Sequence, residues 1–288
     1  MPGAGFLVWR CRMTKKSVLV TGCSTGIGKA TASVLREKGF DVVAAARGRD
    51  DLEALSKAGF KTVRIENTDQ ESVEKGFDEA IRLTDDGRIW GVFCNAGYGQ
   101  PGAIEDVTVE GMREQLETNV VGTHGLARRA CKHMVERGGG RILINSSVLG
   151  VVGMKMRGIY VCSKYALEGY ADVLAMEMAD AGVDVALIEP GPVFTKFRAN
   201  ALAAFKRHVD EKNSRHREQY QGLKEKLAKD APVAPFTMSD ARCAEIAARA
   251  FTDKRPKMRY RATVQTHVFS MLKRVLPSRW LQKLAARG

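Results

Sequence analysis

The stretch Thr21-Gly22-Cys23-Ser24-Thr25-Gly26-Ile27-Gly28 decides the fold. It follows the short apolar run Ser17–Val20 and precedes apolar residues at helical spacing, Ala30, Val34 and Leu35. A strand, a glycine loop and a helix start make a dinucleotide-binding arrangement. The glycines permit a tight turn and close backbone approach. The helix N-terminus then offers unpaired N–H groups to a pyrophosphate. The spacing is Gly-x3-Gly-x-Gly, not the commoner Gly-x-Gly-x-x-Gly.

Outward from this loop, the same unit recurs. Asp41–Ala46, Lys61–Ile65, Ile89–Cys94, Arg141–Asn145 and Asp184–Ile188 read as buried strands. Helices are expected over Glu71–Leu83, capped by Thr68 or Asp69, over 108–137, and from Gly158 onward. Short loops join them. The alternation predicts an α/β fold with a Rossmann-type, right-handed, doubly wound parallel sheet in a single domain. Its ligand crevice should lie outside the carboxyl ends of the strands. The Gly22 loop, Arg47, Asn95, Ser147 and Pro190 all fall at such ends.

Each strand end carries its own chemistry. The second strand ends Ala45-Ala46-Arg47-Gly48-Arg49, where a site for NAD(H) would place a carboxylate against the ribose 2′-OH. A guanidinium suits a 2′-phosphate instead, so NADP(H) is expected over NAD(H). Asn95-Ala96-Gly97 closes the fourth strand with small residues that let backbone approach a ligand. Asn119 lies inside the 108–137 helix and needs hydrogen-bond partners if buried. The serine pair Ser146-Ser147 ends the fifth strand. Tyr160 and Lys164 follow on one face of the next helix, four residues apart. A lysine ammonium beside a phenol favours the phenolate and lowers a pKa that starts near ~10.

Residues 192–238 break the rhythm, and the charge-dense piece Lys206–Lys229 reads as a mobile helical lid. Ser239–Phe251 reads as a serine-capped helix and Lys257–Tyr260 as a last strand. The tail, 263–288, reads as two amphipathic helices split at Pro277, a C-terminal extension of the domain at 15–262. It is expected to pack over the substrate pocket or a neighbouring subunit, with weak peripheral membrane contact as the other reading. Residues 1–14 do not read as a secretory signal; they read as an over-extended start or a disordered leader.

Composition narrows the class. The 288 residues are 44% hydrophobic and 27% charged, ordinary for a globular protein. No apolar run approaches the ~20 residues of a spanning helix. The net charge of +13 points to anionic partners such as a phosphorylated cofactor or an anionic membrane. No nucleic-acid-binding motif is present, so a nucleic-acid role is not expected. Six scattered cysteines, with no Cys-x-x-Cys and no histidine cluster beside them, predict reduced thiols, no metal site and a cytoplasmic protein.

Taken together, Thr21-Gly22-x3-Gly26-Ile27-Gly28, Asn95-Ala96-Gly97, Asn119, Ser147, Tyr160-x3-Lys164 and Pro190-Gly191 resemble the short-chain dehydrogenase/reductase family. The resemblance covers about residues 16–260. It is strongest to bacterial NADP-dependent aldehyde reductases and to the steroid and retinol dehydrogenase branch. The family's serine-to-tyrosine separation selects Ser147 over Ser146. Cys94 stands where the family usually has the first asparagine of Asn-Asn-Ala-Gly. The resemblance implies a catalytic set of Asn119, Ser147, Tyr160 and Lys164. Tyr160 would exchange the proton, Lys164 would lower its pKa and hold the nicotinamide ribose, Ser147 would polarise the carbonyl, and Asn119 would hold a relay water. It implies a cofactor site at Gly22, Ser24, Thr25, Gly26, Ile27, Gly28, Arg47, Asn95, Ala96, Gly97, Pro190, Gly191, Val193 and Thr195, shared with Tyr160 and Lys164. The expected substrate is a small hydrophobic carbonyl compound or alcohol, facing Val148, Val151, Met154, Met156, Val193 and Phe194. A homo-oligomer, dimer or tetramer, is implied. A non-catalytic NADP(H) sensor would keep the fold but would have little need of all four catalytic residues.

Overall fold

Ser17–Val20 (β1) is buried on both faces, as a strand between two helical layers must be. The computed structural model describes residues 15–232 and 234–286, so the leader 1–14, with Cys11, and Arg287 lie outside the described residues. After β1 the elements run α1 (Gly26–Glu37), β2 (Asp41–Ala46), α2 (Arg49–Lys57), β3 (Lys61–Arg64), α3 (Gln70–Leu83), β4 (Gly91–Cys94), α4 (Val109–Leu116), α5 (Gly122–Glu136), β5 (Gly140–Asn145), α6 (Gly158–Met178) and β6 (Val183–Glu189). Then come β7 (Val193–Phe194), α7 (Phe197–His208), α8 (Arg217–Ala228), β8 (Met238–Ser239), α9 (Asp240–Thr252), β9 (Arg259–Arg261), α10 (Val264–Val275) and α11 (Ser278–Ala285).

Seven strands form one sheet in the order β3-β2-β1-β4-β5-β6-β9, with every neighbouring pair parallel. Side chains alternate between its faces. Leu19, Val43 and Val92 pack with Phe77 of α3, Leu126 of α5 and Leu167 of α6. Val18, Val20 and Phe93 point the other way, onto Leu35 of α1 and Phe251 of α9. The doubly wound single domain is therefore as the β–α rhythm predicts.

Local differences have local causes. Asp69, not Thr68, caps α3 by accepting from the Ser72 amide. The 49–57 helix has a weak apolar pattern, with only Leu55 buried, and escaped the sequence reading. The expected single helix 108–137 is two helices joined by a π-helical turn, Glu117–Val121, which carries Asn119. Such turns re-aim a side chain at the expense of ideal helix geometry.

The lid is also not one helix over Lys206–Lys229. It starts earlier, at Phe197, and breaks between α7 and α8. It is latched to the loop before α4: Arg215 and His216 bind Glu105 at 2.7 and 2.8 Å, Ser214 binds Asp106 at 2.5 Å, and the fully buried Tyr220 also donates to Asp106. These links explain why a segment so rich in charge is held against the body. The tail forms the two expected helices, and Ala285, Leu281 and Phe269 pack against Val148, Leu149, Val152 and Tyr160.

Candidate active site

The glycine loop takes the backbone shape that only glycine adopts without strain. Gly22 and Gly26 have φ of +69° and +60°. Gly28 is needed for a different reason: a Cβ there would sit 2.5 Å from the Gly22 carbonyl oxygen. Thr25 precedes α1 without a side-chain cap, leaving the first-turn N–H groups of that helix for an anion. Asn95 braces the loop from below. Its Nδ2 donates to the Thr21 carbonyl at 2.8 Å, its Oδ1 accepts from Asn145, and Thr21 Oγ1 accepts from the amides of Asn95 and Ala96.

A cleft opens above the carboxyl ends of β1, β2, β4 and β5. Gly22, Ser24, Thr25, Gly26 and Ile27 line it, with Ala46, Arg47, Asn95, Ala96, Gly97, Tyr160, Lys164 and Thr195. Gly28, Pro190, Gly191 and Val193 do not line it. Gly28 lies beneath the loop, the Pro190 carbonyl accepts from the Val148 amide, Gly191 lies against Thr263, and Val193 packs on the core. Asn119 and Ser147 also sit behind its surface, both buried. Asn119 Oδ1 accepts from the Tyr98 amide, and its Nδ2 donates to the Tyr98 carbonyl at 2.9 Å and to Ser163 at 3.1 Å. The partners that a buried asparagine requires are thus all present.

Tyr160 and Lys164 share one face of α6, with the ammonium 5.6 Å from the phenol ring centre. Lys164 donates to the Asn145 carbonyl at 2.6 Å. The expected depression of the phenol is not what the structure gives. Burial pushes Tyr160 up to about 12, and the Ser147 hydroxyl beside it and the Arg157 charge recover only part of that. Burial also pulls Lys164 down to about 8, against the opposing field of Glu168. The physical reason is that two polar groups in one buried spot are both pushed toward neutrality.

Behind the site lies a charged network that sequence reading did not find. Ser146 donates to Glu168, which also meets Arg259 at 3.0 Å. Arg259 in turn approaches Glu189 at 3.3 Å and Asp172 at 2.7 Å, and Arg261 approaches Glu189 at 3.3 Å. Glu189 is 1% exposed, and burial raises its carboxyl to about 7. The two serines therefore divide their work: Ser146 faces this network, and Ser147 faces Tyr160.

Other cleft residues were also missed. Asn67 follows β3 as Arg47 follows β2, so the strand-end rule could have found it. It is buried, and its Oδ1 has no partner. Arg47 itself is exposed and lies 3.8 Å from Glu66. The expected apolar wall needs correction: Val148, Val151, Met154, Met156, Val193 and Phe194 do not line this cleft. Val148 and Met154 pack instead with the tail helices. Beyond Tyr160 the lining is Tyr98, Phe197 and Ala203, with Glu114, Asn200 and Arg207. Tyr98 follows β4 and the others come from α4 and α7, which the chain brings together only in three dimensions, and no local motif marks them. Cys94, the departure from the family's first asparagine, points into the core.

The left-handed glycine turn, the uncapped start of α1 and the unpartnered Asn67 oxygen fit a phosphorylated dinucleotide lying across these strand ends. Comparison with known proteins agrees. The family model described as short chain dehydrogenase matches residues 16–205. The chain is 38% identical to the uncharacterized oxidoreductase YbbO of Escherichia coli (strain K12) over 95% of each chain. It is 31% identical to human 17-beta-hydroxysteroid dehydrogenase type 1, over 87% of this chain and 78% of that one. A Burkholderia phymatum short chain dehydrogenase/reductase, solved in complex with NAD, superposes with a TM-score of 0.75 at 21% identity, covering 95% of this chain and 96% of that one.

Proposed function

The chain belongs to the short chain dehydrogenase family of oxidoreductases, and from that premise we propose an NADP(H)-dependent enzyme that interconverts a hydrophobic aldehyde or ketone and its alcohol. The observation that carries this reading is the shared cleft: Tyr160 and Lys164 open into the same space as the glycine loop and Arg47.

The nicotinamide, when bound, supplies hydride to the carbonyl carbon or takes it from the alcohol. Tyr160 gives its phenolic proton to the carbonyl oxygen in reduction and removes it in oxidation. The Lys164 ammonium favours the tyrosinate left behind and hydrogen-bonds the nicotinamide ribose. Ser147 orients and polarises the carbonyl. Asn119, fixed by Tyr98 and Ser163, holds a relay water. The amides of the Gly22–Gly28 loop and α1 bind the pyrophosphate, and Ala96 and Gly97 approach the cofactor through their backbone. Thr195 would close the nicotinamide end, with Pro190, Gly191 and Val193 shaping it from behind. Arg47, exposed and 3.8 Å from Glu66, would hold the 2′-phosphate.

The Phe197 ring, 5.6 Å from that of Tyr160, supplies an apolar wall for the substrate. The polar groups beyond it select for a carbonyl compound with a polar end. Members of the family are commonly oligomeric. Exposed Met112 and Val121 on the α4–α5 segment, with Val173 and Met176 on α6, suit a second copy of this chain. No helix among the described residues is long and apolar enough to cross a membrane. A cytoplasmic location suits the free thiols Cys23, Cys94, Cys131, Cys162 and Cys243. The test is a panel of aldehydes, ketones and alcohols with each of the four nicotinamide cofactors, followed by nicotinamide absorbance. Cofactor binding without turnover of any member would make the protein a sensor and overturn the reading.

A further inference from the structure

The C-terminal helices are apolar on both sides. In α10 Phe269 packs on the body beside the buried Thr266 and Ser270, while Val264, Val268, Met271 and Val275 are exposed. Their spacing of four, three and four puts these apolar residues on one helix face, opposite the buried pair. In α11 Ala285 is buried, and Trp280 and Leu284 are exposed on the far side. A surface helix of a water-soluble domain normally turns its apolar stripe inward. A contiguous exposed stripe marks a surface with a partner.

Charge says which partner. From Lys254 to Gly288 the sequence holds ten lysines and arginines and no aspartate or glutamate. Most of the chain's net charge of +13 thus lies in its last 35 residues. Lys273, Arg274, Arg279 and Lys283 sit on the two helices, and among the described residues none of them is ion-paired. Lys283 lies 5.6 Å from the Trp280 ring, so cation and indole share one face. Two copies meeting through this face would bring like charges together. An anionic bilayer would take the apolar stripe into its interface and the cations among its headgroups.

We infer that the outward faces of α10 and α11 dock the protein on a membrane surface rich in anionic phospholipid. Trp280 and the Val264–Val275 stripe enter the interface, and Arg279 and Lys283 bind headgroup phosphates. The body-facing sides stay packed on the Val148–Val152 segment, so docking needs no refolding. It sets the loop beside Tyr160 close to the bilayer, where an apolar carbonyl compound would be concentrated. The docking itself goes beyond the oxidoreductase reading and does not depend on it.

The experiment uses the full chain and reads binding, not turnover. Protein is sedimented with vesicles of phosphatidylcholine alone and of equal parts phosphatidylcholine and phosphatidylglycerol, at low and high salt. Wild type is expected to pellet with the anionic vesicles at low salt, to be released by salt, and to stay soluble with the neutral ones. Trp280 emission should shift to the blue on binding, and Trp280→Phe should remove the shift. Val268→Ser with Met271→Ser, and separately Arg279→Gln with Lys283→Gln, should each weaken binding about tenfold or more. All four positions are exposed, and light scattering with circular dichroism checks that the variants stay folded. Wild type left in the supernatant with anionic vesicles at low salt would overturn the inference. So would serine variants that pellet like wild type. A wild-type oligomer that the serine pair reduces to monomers would make this face a subunit interface instead.

Discussion

Lys164 donates from Nζ to the Asn145 carbonyl at 2.6 Å, tying the second turn of α6 to the last residue of β5. The bond holds the ammonium beside Tyr160 and uses one of its three protons, leaving two for a ribose. Burial draws this lysine down to about 8, and the Glu168 carboxylate opposes the fall. The charged form is therefore complete well below pH 8 and is lost as pH rises through it. Reductive kcat/KM should be level in mild acid and fall above about pH 8. Glu168→Gln removes the opposing field, so the inflection should move to lower pH. A full pH profile of both proteins checks this, and an unmoved inflection would separate Glu168 from the lysine.

Tyr160→Phe deletes one hydroxyl in a packed site. Turnover should fall by on the order of 10²–10⁴. Cofactor affinity, read by nicotinamide fluorescence, should hardly change. Near-normal turnover would remove Tyr160 from the proton transfer.

Arg47 has a rival for its charge in Glu66, 3.8 Å away. A charge-assisted contact to phosphate is worth about 1.5–3 kcal/mol, so Arg47→Ala should lower the preference for NADPH over NADH at least about tenfold. Glu66→Gln frees the guanidinium and should raise that preference. The ratio of catalytic efficiencies in the three proteins is the measurement. A ratio that Arg47→Ala leaves unchanged would assign the phosphate to another residue.

Asn119 serves a fold as well as a site. Asn119→Ala leaves the Tyr98 amide without its partner, while the Tyr98 carbonyl keeps its bond from Gln115 Nε2. Unfolding should be easier by about 1–3 kcal/mol, seen in thermal or urea denaturation. Equal stability would mean that water replaces the side chain at no cost.

Glu189 gives a pH-dependent stability. Its folded carboxyl is raised to about 7, chiefly by burial and then by Glu168, against the pull of Arg261 and Arg259. Below the unfolded carboxylate range both states hold the proton. As pH rises toward 7 the unfolded chain ionises first, so stability is lost over that window. Glu189→Gln cannot ionise. Its Tm relative to wild type should therefore rise between pH 5 and pH 8, by the equivalent of about 2 kcal/mol. A constant difference would show that the carboxylate is ionised throughout.

The β–α rhythm, the glycine loop and the Tyr160–Lys164 spacing were decided by the sequence alone. Each is a local pattern: a buried strand needs an apolar run, a left-handed turn needs glycine, and four residues make one helical turn. The same locality identified Asn95, and it left Thr68 and Asp69 as rival caps until the Ser72 amide chose between them. What depends on distant segments meeting was decided only in three dimensions. Spacing put a lysine beside Tyr160, but burial by the surrounding elements made the phenol harder to ionise, not easier. The Ser146–Glu168–Arg259–Glu189 network draws on three strands and a helix, and no window of sequence contains it. The π-helical turn at Asn119 satisfies a side chain whose partners are 21 and 44 residues away. In α10 and α11 the sequence shows an apolar stripe, but only the packed structure shows that it faces outward. Burial and electric field are sums over the whole fold, and a one-dimensional pattern does not carry them.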